Sequence, residues 1–76
     1  MLKKELEELF GSMPNIVQEK LKPVIENLLE RAGDLDREGK KDPDYYEEER
    51  EEIMKEVNKV KYLNDQWQIM NAKKNN

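Results

Sequence analysis

The chain has no cysteine, no histidine and no threonine among its 76 residues, and its one serine is Ser12. Without cysteine there is no disulfide to staple a small core, and without cysteine or histidine there is no zinc site of the usual ligand type. The same gaps remove most of the nucleophiles and bases on which covalent catalysis is built. Ser12 stands between Gly11 and Pro14, where its expected use is a hydroxyl capping the start of a helix. No stretch offers the roughly 20 apolar residues of a membrane span. The opening MLKKELEELF scatters charges between its leucines, unlike a secretory signal. Small secreted domains are commonly dense in disulfides, so a reducing, cytoplasmic location is the expectation.

Glycine and proline are scarce, three of each, so turn signals are few. Between them apolar residues recur at helical spacing, and no segment shows the alternation of a strand. Leu2, Leu6, Leu9 and Phe10 predict a first helix over residues 2–10, stopped by Gly11. Pro14 opens a second, whose apolar face runs through Ile16, Val17, Leu21, Val24, Ile25, Leu28, Leu29 and Ala32 to Leu35. Pro23 lies inside that face and predicts either one kinked helix or two abutting pieces with Pro23 leading the second. Gly33 is the expected stop, followed by a polar turn over 34–42. Asp42 as cap and Pro43 at the first position then begin a last helix that nothing interrupts until about residue 72, a rod about 45 Å long.

What the chain has in abundance is charge, 42% of residues, for a net charge of -4. Residues 42–56 hold 8 acidic and 2 basic side chains, whereas 57–76 hold 1 acidic and 4 basic. Acid first and base last complements the helix dipole. Glu51 and Glu52 with Lys55, and Glu56 with Lys59, add pairs at three- or four-residue spacing.

Along the last helix Tyr46, Ile53, Val60 and Trp67 recur every seven residues, with Val57, Leu63 and Met70 on adjoining positions, the pattern of a coiled-coil-like packing seam. Asn58, Asn64 and Asn71 form a polar line beside it. A chain this short buries only roughly 60% of its unfolded surface, and the first two helical segments cover a 45 Å rod only if laid along most of it. The expectation is therefore an all-α fold, a helical hairpin or three-helix arrangement with a long C-terminal helix. It forms a single domain over 1–72, dimerises into a helical bundle through the seam, and ends in a frayed polar tail over 73–76.

The charged residues suggest little catalysis. Glu47, Glu48, Glu49, Glu51 and Glu52 run around one helical turn, as on a solvated face. The segment DLDREGKKDPDY over 34–45 matches the start of a calcium-binding loop through Asp34, Asp36, Glu38, Gly39 and Asp42. However, Lys41 and Tyr45 stand where an apolar residue and a bidentate glutamate belong. No metal or cofactor is expected. Tyr45, Tyr46, Tyr62, Trp67, Ile69 and Met70 cannot all face one core, because neighbours on a helix point about 100° apart. The function expected is that of a small non-catalytic protein of adaptor or regulatory type, acting by protein-protein interaction as a homodimer or with a heterologous protein. The alternative is a nucleic-acid-associated regulator using Lys55, Lys59, Lys61, Tyr62, Trp67, Lys73 and Lys74.

Overall fold

The computed structural model describes residues 1–74, apart from the side chains of Lys40, Lys73 and Lys74. Four α-helices follow one another: α1 (Leu2–Gly11), α2 (Asn15–Lys20), α3 (Lys22–Glu38) and α4 (Pro43–Lys74), with a short 3-10 turn, Gly39–Lys41, between the last two. The whole is a narrow body of 52 × 17 × 17 Å. Its long dimension is set by the 32 residues of α4, about 48 Å at 1.5 Å per residue. Among the described residues no helix is long and apolar enough to cross a membrane.

The core is one cluster to which every α-helix contributes. Leu2, Leu6 and Phe10 come from α1, Val17 from α2, Ile25, Leu28, Ala32 and Leu35 from α3, and Ile53, Val57 and Val60 from α4, with Met13 closing it at the first turn. These are the apolar positions spaced by three and four residues in each helix. Helix α3 is central, packed on α1, α2 and α4. Alone, the ten residues of α1 are too few for a stable helix. Apart from the apolar contacts, the first turn of α1 is held by Asp36 of α3, whose carboxylate accepts the Leu2 N–H at 3.1 Å and the Lys3 N–H at 3.0 Å. One helix thus caps another, satisfying donors that lack a partner within their own helix.

Three sequence expectations change. Ser12 does not cap α2: its hydroxyl donates back to the Leu9 carbonyl at 2.7 Å and closes the end of α1, while Pro14 takes the N-cap position of α2. The break in the second helical segment falls at Leu21 (φ -102, ψ 11), so Lys22 leads α3 and Pro23 is its second residue, where a missing N–H loses no intrahelical bond. Gly33 does not stop α3, which continues to Glu38; no glycine among the described residues has positive φ. Gly33 is buried, and Lys3 of α1 crosses so closely that a Cβ there would meet its Cδ at 3.2 Å.

Residues 34–42 are accordingly the last turn of α3 and the 3-10 turn, with only Asp42 extended (φ -142, ψ 103). Asp42 caps α4 as expected, its Oδ1 accepting the Asp44 N–H at 3.1 Å and the Tyr45 N–H at 3.3 Å. Gly39 lies against α4 so tightly that a Cβ would stand 2.6 Å from Cδ2 of Tyr46 and 3.1 Å from Cδ1 of Leu35. Gly39→Ala is expected to lower stability by about 1–3 kcal/mol through this overlap. Adding Tyr46→Ala should recover part of that loss in denaturant titration, and strictly additive effects would refute the contact.

Candidate interaction surface

The seam read from the sequence divides between two faces of α4. Ile53, Val57 and Val60 are 1%, 0% and 2% exposed and belong to the core, with Tyr46 and Trp67 half-buried against it. Leu63 and Met70 stand apart, 50% and 61% exposed. On a helical wheel they point roughly 80–100° away from Ile53 and Val60, towards the outside. The intramolecular core therefore occupies the positions that the seven-residue repeat reserves for an intermolecular seam.

The division has a structural cause. With its first turn bonded to Asp36, α1 ends at Gly11 and lies beside the first half of α4 only. Beyond Val60 the cover comes from α2 and the Leu21 junction, where Val17, Lys20, Leu21, Leu63 and Trp67 line a shallow apolar groove. Past Trp67 every described side chain of α4 is exposed. Asn64 sits on the core side between Val60 and Trp67, and its Oδ1 is buried without a hydrogen-bond partner, which marks the end of the well-packed core. Asn58 and Asn71 are exposed.

On the outer face of this second half, Tyr62 (62% exposed) and Ile69 (50%) join Leu63 and Met70. The seven-residue repeat omits Tyr62 and Ile69. The signal that finds them is the pairing of adjacent apolar residues, 62 with 63 and 69 with 70, seven residues apart. The four surround Gln66 symmetrically, Leu63 and Ile69 three residues on either side of it and Tyr62 and Met70 four.

Polar groups assemble no comparable site. Asp34, Asp36 and Glu38 lie on helix α3, not in a loop. Asp36 is committed to the amides of α1 and Asp34 pairs with Arg37. The described residues contain no group of three or more His, Cys, Asp or Glu side chains able to hold a metal ion. Arg31 of α3 pairs with Glu56 of α4 across the helix interface, so Glu56 does not serve Lys59 as its spacing suggests. Lys55 pairs with Glu52 at 3.2 Å, while Lys59, Lys61 and Tyr62 are exposed. Comparison with protein-family models, with curated proteins and with solved structures gives no match for this chain.

Proposed function

We propose that the protein is a non-catalytic adaptor or regulator that works by protein-protein contact, through the outer face of α4 between Tyr62 and Met70. The observation that carries this reading is the set of four large apolar side chains, each 50–62% exposed, on a helix segment that nothing else in the chain covers. Contiguous apolar exposure of this kind on a small monomer usually marks a binding surface. The residue inventory agrees, because a chain lacking cysteine, histidine and threonine is poorly supplied for covalent chemistry but well supplied with aromatic and methionine anchors. A cytoplasmic location goes with this reading, on the grounds of composition given above.

The nucleic-acid alternative draws less support. Lys55 is engaged by Glu52, and the remaining lysines of the face alternate with apolar side chains, with no arginine beyond Arg50. The test is a photo-crosslinking amino acid at Leu63, compared with the same group at exposed Glu47, in the cells that produce the protein. Protein adducts at 63 and none at 47 are expected. Absence of any protein adduct at 63, or equal yields at both positions, would overturn the reading.

A further inference from the structure

Resting on that reading of the surface, we propose that its occupant is a second copy of this chain, with the outer halves of two α4 helices packed antiparallel about a two-fold axis through Gln66. The argument begins with the symmetry of the patch. In an antiparallel pair centred on residue 66, each position meets its mirror image in the other copy: Leu63 falls opposite Ile69, and Tyr62 opposite Met70. A two-fold interface must be self-complementary, and this arrangement sets apolar against apolar at all four positions. Gln66 meets itself on the axis, where a carboxamide, carrying both donor and acceptor, pairs with its own copy.

Charge chooses the direction. A parallel pair would also align the apolar residues, but it would lay the two acidic stretches of 42–56, 8 acidic and 2 basic residues each, along one another. On the outer face Glu48 would meet Glu48 and Glu52 would meet Glu52. The antiparallel pair sends these stretches to opposite ends of the assembly. Its cost is a lysine opposite a lysine, position 59 against position 73, at each solvated end of the overlap, where salt screens the repulsion. Antiparallel packing also keeps the bodies apart, because α1 and α3 of each copy lie beside the half of α4 that does not overlap.

Area points the same way. A folded monomer of 9.1 kDa exposes about 4,900 Å², whereas this chain exposes 5726 Å². The excess, roughly 800 Å², is what each partner contributes to an interface of standard size.

Sedimentation equilibrium, combined with spin labels on a cysteine at exposed Asn58, tests the proposal. The chain has no native cysteine, so Asn58→Cys labels one site per copy. The expected result is a dimer that tightens with added salt, with the two labels about 26 Å apart, the axial offset of 16 residues combined with the helix spacing. Ile69→Glu, at a half-exposed position, should weaken association at least tenfold and leave the helical circular dichroism intact. Labels closer than about 15 Å would mean parallel pairing, and a dimer indifferent to Ile69→Glu would mean another surface. Either overturns the proposal. So does a monomer throughout the concentration range, and in that case crosslinks from position 63 to a different protein would still leave the surface reading standing.

Discussion

Ile53→Ala is expected to lower the unfolding free energy by about 2–5 kcal/mol, while Leu63→Glu should change it by no more than about 0.5 kcal/mol. Both residues belong to the apolar pattern of the same helix, and a larger penalty might be expected from introducing a charge than from trimming a methyl-bearing side chain. Burial reverses that order. Ile53 is 1% exposed and packed in the core shared by α1, α3 and α4, so truncation removes contacts that neighbours cannot replace and leaves a cavity. Leu63 is 50% exposed on a solvated helix face, where glutamate keeps its water and has good helix propensity. At the usual 0.05–0.15 kcal/mol per residue, a chain of 76 residues has about 4–11 kcal/mol in total. The Ile53 variant therefore loses a large part of its stability, and its midpoint in urea, followed by circular dichroism, should fall accordingly. Equal losses in the two variants would contradict the division of α4 into a core face and an outer face.

The second large effect is expected at Asp36. Its carboxylate accepts two backbone N–H groups from the first turn of α1, at 3.1 and 3.0 Å, and both bonds are charge-assisted. Asp36→Ala removes both and is expected to cost about 1.5–3 kcal/mol, offset by a few tenths for the better helix propensity of alanine within α3. Asp36→Asn keeps one good acceptor oxygen and should cost less. The loss is directional, because α1 is short and depends on its docking, so its amides should lose hydrogen-exchange protection before those of α4 do. Uniform loss across all helices, or none in α1, would show that the Leu2, Leu6 and Phe10 contacts alone hold α1 in place. Because the position of α1 also decides how much of α4 is covered, this carboxylate bears indirectly on how much surface α4 leaves outside.

The all-helical character, the long uninterrupted last helix and its Asp42 cap were legible in sequence, because each depends on neighbours within one or two turns: apolar spacing of three and four residues, a proline at the first position, and acidic and basic residues sorted along the dipole. The same locality misled at Ser12, Gly33 and the segment 34–42. Ser12 closes the helix before it rather than opening the one after. Gly33 answers to the passage of Lys3, a residue 30 positions away, and Asp36 to the amides of Leu2 and Lys3. Residues that look like a turn when read alone are held in helix by what they touch.

The interaction surface shows the same limit. A seven-residue repeat along α4 states that a packing seam exists, but it carries no information about whether the packing partner is in the same chain. That was decided by the tertiary structure, in which α1, α3 and α2 together occupy the seam through Val60 and reach as far as Trp67. The sequence alone determined which residues are apolar and how far apart they stand. Only the packing of distant segments, whose contacts depend on chain reversal and not on local spacing, decided that Ile53, Val57 and Val60 are core and that Tyr62, Leu63, Ile69 and Met70 remain outside.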